Sequence, residues 1–335
     1  MRPLRVLTWH VHGTYLYYLA HILHELYLPV RPGRPEGYGA RSGSFSWPDN
    51  VVEVPAEEVR SLPLDAVIFQ SAKNYLEDQF DILSEDQRRL PRIHLEHDPP
   101  RENPTDTRHF VDDPDVLLVH VTHFNDLMWD SGRTPTRVIE HGVKVPAGIR
   151  YTGELDEGLV IVNNLASRGR RLGLDVFNRA RKQVALEIAG MGSEELGGLG
   201  DVAYNRLHAF EARYRFLFNP IRYTSLGLAV CEAMMVGLPV IGLATTEMAT
   251  VIENGVSGYV DTNLDHLIER MRELVQDRGE AKRLGEGARG AARERFGIDR
   301  FVREWEATLA DVTGVAASAR QSFVKGPVAA GGGTR

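Results

Sequence analysis

Short apolar runs alternate with segments of helical spacing along most of the chain. The runs that predict strands lie at 5–9, 65–70, 116–121, 137–140, 159–162, 185–188, 215–218 and 240–244, and a further strand within 91–100 ends in a polar turn. The run at 240–244 is apolar without interruption, which is typical of a strand covered on both faces of a parallel sheet. Turns rich in Gly, Pro and Asn separate the runs from the helical segments. The pattern therefore predicts an α/β protein with parallel sheets.

One predicted helix, LGLAVCEAMMV at 226–236, is apolar on every side except at Glu232. No face of this helix is polar enough to meet water, so we expect Glu232 to be at least half buried. A buried carboxylate costs roughly several kcal/mol unless it is protonated, paired with a cation, or bonded to hydroxyl groups of a ligand. Gly237 suits the helix end, and an apolar strand follows it. Because ligands of parallel sheets bind beyond the carboxyl ends of the strands, we expect a ligand cleft near Glu232.

The amino-terminal segment has the order strand, glycine turn and helix that opens most α/β nucleotide-binding domains. The turn contains Gly13 and leads into an apolar helix predicted over 16–23. Gly13 has two interpretations: its amide contacts a diphosphate at the helix N-terminus, or it is a turn glycine with a positive φ. Tyr15, Tyr17 and Tyr18 offer aromatic rings either to a sugar or to the core.

Composition sets the number of domains and the compartment. The chain has 335 residues, and at about 150 residues per domain this length predicts two domains. No apolar run approaches the ~18 residues of a membrane span, and the N-terminus shows no secretion signal. The single cysteine, Cys231, excludes an internal disulfide framework. The net charge of −7 argues against general affinity for nucleic acids or anionic membranes. We therefore expect a cytoplasmic protein without a nucleic-acid partner.

Histidines are concentrated in the first part of the chain, where ten of the twelve precede Val143. His10 and His12 form one close pair, and His94 and His97 form another. No carboxylate or cysteine at ligand spacing completes a zinc signature around either pair. The sequence therefore predicts no bound metal.

The segment NPIRYTSLGLAVCEAMMVGLPVIGLATTEMATVIENGVSG, at 219–258, resembles the nucleotide-sugar-binding core of family-4 retaining glycosyltransferases of the GT-B fold. In that family, a loop with Pro, Glu, Gly, Phe and Gly precedes a second Glu, which follows the first by eight positions. Pro220, Gly227 and Glu232 match this pattern. The positions that differ are Thr224 for the first Glu, Ser225 and Leu226 for the Gly and Phe, and Thr250 for a later Glu.

The resemblance implies a role for each residue of this loop. Glu232 is expected to accept hydrogen bonds from the ribose of the donor nucleotide. Thr224, with the following residues Ser225, Leu226 and Gly227, is expected to lie against the donor sugar. Because Thr224 replaces a glutamate, the resemblance implies intact nucleotide binding and altered sugar recognition.

Two catalytic candidates, Arg168 and His97, also follow from the resemblance. The loop NNLASRGRR, at 163–171, corresponds to a family motif that supplies an Arg and a Lys to the donor phosphates, although Asn164 stands where that Arg would be. Arg168 is the first candidate for this role and Arg171 the second, since guanidinium forks suit a diphosphate; Arg170 is expected to be solvated. His97 corresponds to a histidine that contacts the donor sugar or leaving group, and its alternative is a turn cap beside Asp98.

The resemblance also implies the architecture. We expect two Rossmann-like domains that face a central cleft, with an acceptor-side domain at 1–148 and a nucleotide-sugar-binding domain at 149–297. A crossover helix at 298–315 is expected to return to the first domain through Phe301, Trp305 and Leu309, which are spaced by four. The Gly- and Ala-rich tail at 316–335 is expected to be disordered.

The implied function is transfer of a sugar from a nucleotide-diphosphate sugar, UDP- or GDP-linked, with retention of configuration and without a metal or other cofactor. The acceptor, whether carbohydrate, lipid or small molecule, stays open. A front-face mechanism fits, because the sequence shows no acid-base dyad and the leaving phosphate can take the acceptor's proton. The alternatives are a sugar-nucleotide epimerase or a phosphorylase of the same fold, or a non-catalytic domain that binds a nucleotide sugar or a glycan.

Overall fold

The computed structural model describes residues 2–315, and the predicted disordered tail lies outside the described residues. The first sheet has seven parallel strands in the order β3-β2-β1-β4-β5-β6-β7. They are β1 (Arg5–Thr8), β2 (Glu25–Val30), β3 (Val51–Pro55), β4 (Ala66–Phe69), β5 (Arg92–Glu96), β6 (Val116–His120) and β7 (Thr136–Val138). Because all seven strands run in the same direction, their carboxyl ends lie at the same edge of the sheet. Each connection between them therefore crosses back to the opposite edge.

The second sheet has five parallel strands in the order β12-β11-β10-β8-β9. They are β8 (Gly158–Ile161), β9 (Leu186–Ala189), β10 (Leu217–Asn219), β11 (Val240–Leu243) and β12 (Gly258–Asp261). The central strands β10 and β11 are buried throughout, as expected for strands covered by helices on both faces. The predicted α/β class with parallel sheets is confirmed.

Eleven α-helices are described, and short 3-10 turns fill several connections. The helices are α1 (Gly13–Leu19), α2 (Gln79–Ile82), α3 (His123–Met128), α4 (Leu165–Arg168), α5 (Leu174–Ala180), α6 (Tyr204–Glu211), α7 (Leu228–Val236), α8 (Met248–Val251), α9 (Leu264–Gln276), α10 (Arg278–Arg295) and α11 (Ile298–Thr313). No described helix is long and apolar enough to cross a membrane.

The first helix is shorter than the sequence predicts, because α1 ends at Leu19 and not at Leu23. The side-chain Nδ2 of Asn50 lies within hydrogen-bond distance of the carbonyls of Ala20, Ile22 and His24, and its two hydrogens are shared among them. These bonds satisfy carbonyls that a longer helix would have paired within itself, and they turn the chain into β2. Strands β2 and β3 lie in stretches where the sequence predicts none.

The last helix, α11, packs against the first domain. Phe301, Trp305 and Leu309 are fully buried, and the indole N–H of Trp305 donates to the hydroxyl of Tyr15 at 3.2 Å. A Cβ on Gly142 would lie only 2.2 Å from the Cβ of Phe301, so this contact needs glycine. The domain limits of 1–148, 149–297 and 298–315 stay a prediction. The first boundary, between residues 148 and 149, falls in the connection between the end of β7 at Val138 and the start of β8 at Gly158.

Candidate active site

A cavity of about 630 Å³ lies in the cleft between the two sheets. From the first domain, the turn after β1 and the loop at 43–45 form part of its wall. From the second, the turns after β8 and β9, the segment that leads into α6, α6 itself and the first turns of α7 form the rest. The residues that matter below are His12, Gly13, Asn163, Tyr204, Gly227 and Glu232. The cavity therefore lies where the carboxyl ends of strands from both sheets meet, which is the usual ligand position in this class of fold.

Glu232 lies on the buried face of α7 and is only 2% exposed. The hydroxyl of Tyr18, on α1 of the first domain, donates to its Oε1 at 2.6 Å, and the hydroxyls of Tyr18 and Tyr204 lie 2.6 Å apart. Burial raises the pKa of Glu232 to about 7, against the opposing effect of the nearby His208. The predicted burial of Glu232 is confirmed. The hydroxyl that donates to it belongs to Tyr18, from the other side of the cleft, and this hydroxyl in turn lies against that of Tyr204.

The match to known proteins falls on the segment that contains this carboxylate. Residues 180–291 match the family model described as Glycosyl transferases group 1. The matched segment includes Gly227 and Glu232, whereas the first domain lies outside it. No curated protein matches the chain by sequence.

Solved structures with the same architecture cover three quarters of the chain or more. Sucrose-phosphate synthase from Thermosynechococcus elongatus is 12% identical, with a TM-score of 0.68 and coverage of 94% of this chain and 100% of that one. HepE from Anabaena, in complex with UDP-glucose, is 15% identical, with a TM-score of 0.66 and coverage of 92% and 99%. S. aureus TarM, in complex with fondaparinux, alpha-GlcNAc-glycerol and UDP, is 16% identical, with a TM-score of 0.56 and coverage of 76% and 57%. The GT-B fold is confirmed, and together with the matched segment it supports a glycosyltransferase.

A second buried pair lies next to Glu232 and was missed by the sequence analysis. Nδ1 of His208 and Oε1 of Glu211 lie 3.1 Å apart on α6. Burial lowers the pKa of His208, but the hydrogen bond and charge of Glu211 outweigh this effect, so its pKa lies above the ordinary value. Burial raises the pKa of Glu211, although His208 offsets part of the shift. The i, i+3 spacing of the two residues on one helix was the available signal.

Gly13 lies in the cavity wall, but the reason for glycine differs from the positive φ that one interpretation required. Its φ lies outside the left-handed region, and a Cβ there would lie 2.8 Å from Nε2 of His10. Close approach of the His10 ring therefore explains the glycine. Direct contact of Gly13 with a donor phosphate stays a prediction.

His97 follows β5 and lies against His12, with the two ring centroids 4.0 Å apart. His12 lines the cavity, whereas His97 is not part of its lining. The Nε2 atom of His97 is buried and has no hydrogen-bond partner within residues 2–315. Burial lowers the pKa of His97 well below its ordinary value, and the neighbouring His12 and His141 lower it further. His97 is therefore a neutral imidazole near pH 7, which can form hydrogen bonds but carries no positive charge.

The loop after β10 lies against the first domain. The hydroxyl of Thr224 donates to Oδ1 of Asp98 at 3.4 Å, and the amide of Asn125 donates to the hydroxyl of Ser225 at 3.3 Å. Nε2 of His141 lies 2.8 Å from the carbonyl oxygen of Leu226. The structure thus places Thr224, Ser225 and Leu226 at the domain interface and outside the cavity lining.

Arg168 and Arg171, the two predicted phosphate-binding arginines, lie near each other and outside the cavity lining. Partial burial and the neighbouring cations Arg168 and Arg101 lower the pKa of Arg171. Within residues 2–315, neither Arg168 nor Arg171 forms an ion pair, whereas Arg170 pairs with Asp175 at 2.7 Å. Arg168 and Arg171 are therefore available to an anion. The backbone amides of Arg222 and Tyr223, just before Thr224, donate to the carbonyl of Arg171 at 3.1 and 3.2 Å.

One cluster in the first domain has the composition of a metal site. Ligand atoms of His94, Glu96 and His109 lie within 4.8 Å of one another. However, the amide N–H of Val111 donates to Nδ1 of His109, so the proton of this ring is on Nε2, which lies 3.0 Å from Oε2 of Glu96. A metal bound at Nε2 would have to displace that proton. The geometry fits a histidine hydrogen-bonded to a carboxylate better than a metal centre.

Glu247 is a further buried carboxylate that the sequence analysis overlooked. Its Oε2 accepts from the amide of Phe124 in the first domain at 2.9 Å. Its Oε1 accepts from Arg295 at 2.7 Å and from the hydroxyl of Thr250 at 2.8 Å. Glu247 therefore joins α3, α8 and α10 across the domain interface. Glu247 lies three residues before Thr250, and Thr250 is the position at which the family pattern has a glutamate.

Proposed function

We propose that the chain is a retaining glycosyltransferase that resembles family 4 and moves a sugar from a nucleotide-diphosphate sugar to a hydroxyl acceptor. The observation that carries the proposal is Glu232, a buried carboxyl group that lines the cavity in the cleft and accepts a hydrogen bond from the hydroxyl of Tyr18. A carboxylate in such a place accepts hydrogen bonds from diol hydroxyls such as those of ribose. We place the ribose of the donor nucleotide at Glu232.

The donor phosphates are placed next to the loop with Arg168 and Arg171. Both guanidinium groups are free of carboxylate partners within residues 2–315, and each presents a fork of donors that matches a phosphate. Their charge would stabilise the phosphate as it leaves, which is the main demand of a reaction without a bound metal ion. We propose UDP as the first nucleotide to test, because HepE was solved with UDP and with UDP-glucose.

The donor sugar is placed between the loop at Thr224 and the first domain. The missing glutamate at 224 is compensated in space by Asp98, whose Oδ1 lies 3.4 Å from the hydroxyl of Thr224. His97 and His12 are neutral and can donate a hydrogen bond to a sugar hydroxyl or to the leaving oxygen. No nucleophilic carboxylate is assigned; in the front-face mechanism, the leaving phosphate takes the proton of the acceptor. The cytoplasm is the proposed compartment.

The nucleotide-binding part of the proposal is tested by thermal denaturation with UDP, GDP, ADP and their glucose conjugates. A ligand at about 100 times its Kd should add about 2.7 kcal/mol of stability. Glu232→Gln should remove most of this stabilisation, while the exposed Glu269→Gln serves as the matched control and should keep it. If no nucleotide stabilises the wild-type protein, the proposal fails.

Transfer is tested separately with the nucleotide sugar that binds. The anomeric configuration of the product, read by NMR, should equal that of the donor, and activity should survive EDTA. Product formed with water or phosphate alone would favour a hydrolase or a phosphorylase, and conversion of the donor without any acceptor would favour an epimerase. Binding without turnover would leave the non-catalytic alternative.

A further inference from the structure

A second cavity, of about 390 Å³, lies where the chain crosses between the two domains. We call it the hinge pocket, and its walls are the crossing segment Val143, Lys144 and Val145, the residue Met235, the end of α10 and the beginning of α11. At this point the amide of Val143 donates to the carbonyl of Phe296 at 2.9 Å, so the outgoing and returning crossings are bonded to each other. The hinge pocket shares no lining residue with the cavity at Glu232.

The hinge pocket is strongly basic in a protein of net negative charge. Five cations line it, namely Lys144, Arg289, Arg293, Arg300 and Arg303, against the two carboxylates Glu294 and Asp299. Within residues 2–315, only Arg300 of these cations forms an ion pair, with Glu304 at 2.5 Å.

Arg289 is the most informative of these cations. It is partly buried, and its Nε atom is enclosed without an acceptor among the described residues. Burial lowers the pKa of the Arg289 guanidinium, and the neighbouring cations Arg293 and Arg150 lower it further. A partly buried cation among like charges is unfavourable unless an anion joins it.

The first turn of α11 adds a further positive end to the pocket. Gly297 precedes this helix of 16 residues and has no side chain to cap its first amides. The partial positive charge at a helix N-terminus attracts anions, and here Asp299 offsets only part of it. Gly297, Ile298 and Asp299 of this helix start line the same cavity as the arginines of α10.

We propose that the hinge pocket binds a soluble phosphate-bearing anion at a site separate from the proposed donor site. Guanidinium groups hold phosphate oxygens in pairs, and a cavity of about 390 Å³ admits a diphosphate group. The ligand would contact both chain crossings at once.

The test is isothermal titration of the full chain with inorganic pyrophosphate at constant ionic strength. The double variant Arg289→Gln with Arg293→Gln should weaken binding at least about tenfold. Lys282→Gln, on the same helix but outside the pocket, is the matched control and should change affinity less than about twofold. If the double variant unfolds, Arg293→Gln with Arg303→Gln replaces it, because both side chains are exposed.

Two results would overturn the proposal. The first is pyrophosphate binding that survives the hinge variants but is lost in Arg168→Gln with Arg171→Gln, because the anion would then occupy the proposed donor site. The second comes from sedimentation with vesicles of phosphatidylcholine and phosphatidylglycerol. Vesicle binding that needs the hinge arginines, without binding of free pyrophosphate, would assign the site to a lipid surface. Glu232→Gln should still bind pyrophosphate at the hinge pocket, even if no nucleotide binds to the wild-type protein. The titration with pyrophosphate and the test of nucleotide binding can therefore fail independently.

Discussion

At the scale of single residues, Glu232 carries the electrostatic cost of a buried carboxyl group, which His208 and Tyr18 offset only in part. The carboxyl group is buried against apolar neighbours, and its hydrogen-bond donor is the neutral hydroxyl of Tyr18. Neutral donors stabilise a carboxylate less than a cation does, which explains why burial dominates and raises the pKa to about 7. The protonated form of Glu232 is therefore well populated in the folded protein near neutral pH.

This raised pKa predicts how stability depends on pH. Between the ordinary pKa of about 4.5 and the folded value of about 7, the folded state binds a proton that the unfolded state lacks. The contribution of Glu232 to the free energy of unfolding therefore falls as pH rises through this window, by up to about 3 kcal/mol. Glu232→Gln should flatten this part of the pH profile and should stabilise the apo protein at pH 8 more than at pH 5.

Urea denaturation at several pH values measures this effect. Glu269→Gln, an exposed position, is the control and should leave the profile unchanged. Equal stability changes at pH 5 and pH 8 in Glu232→Gln would show that the carboxyl group does not titrate in this window.

At the scale of elements, the contact between α11 and the first domain depends on one glycine. A Cβ on Gly142 would overlap the ring of Phe301, which is fully buried. Gly142→Ala should therefore push α11 outward and lower the free energy of unfolding by about 1–3 kcal/mol. Denaturation and the rate of proteolytic cleavage at α11 are the measurements.

A matched substitution on α10 gives the opposite expectation. A Cβ on Gly290 meets nothing within 4 Å, and the position is exposed. Gly290→Ala should stabilise the protein by up to about 1 kcal/mol, because alanine favours a helix. A loss of stability in both variants would mean that the change at 142 does not report on packing.

Periodicity predicted the elements whose pattern is uniform. The unit of α7, its glycine stop and β11 was predicted within a few residues, and Gly237 ends the helix with a φ of 105°. Strand β2, with the sequence ELYLPV, was missed because Pro29 argues against a strand and its neighbours do not alternate regularly. The end of α1 depends on Asn50, a residue distant in sequence, so no local signal could place it.

The same limit applies to the candidate site. The apolar helix predicted the burial of Glu232, but the partner hydroxyl belongs to Tyr18, which is 214 positions away. The contact of Thr224 with Asp98 spans 126 positions. Such pairs arise from the packing of the two domains, and a single sequence carries no direct record of them.

At the scale of the whole molecule, Glu247 is a main polar contact between the domains. It is 3% exposed and accepts hydrogen bonds from the amide of Phe124, from Arg295 and from Thr250. Glu247→Ala leaves Arg295 with Glu140 as its remaining carboxylate partner. We expect a loss of about 2–4 kcal/mol in the free energy of unfolding and a looser arrangement of the domains.

Urea denaturation and the radius of gyration from small-angle X-ray scattering measure the two effects. The exposed Glu195→Ala is the control and should change neither quantity. An unchanged radius of gyration together with a lower stability in Glu247→Ala would assign the residue to the second domain alone.

The return of α11 to the first domain has a consequence for biosynthesis. The second sheet is built from one continuous stretch of chain, whereas the first domain needs α11, which the ribosome makes after that whole stretch. The core of the first domain therefore stays incomplete until α11 has been made, because Phe301, Trp305 and Leu309 belong to it. Until Phe301 and Trp305 emerge, the nascent first domain leaves the surface around Tyr15 and Gly142 uncovered, and this surface is where we expect chaperones to bind.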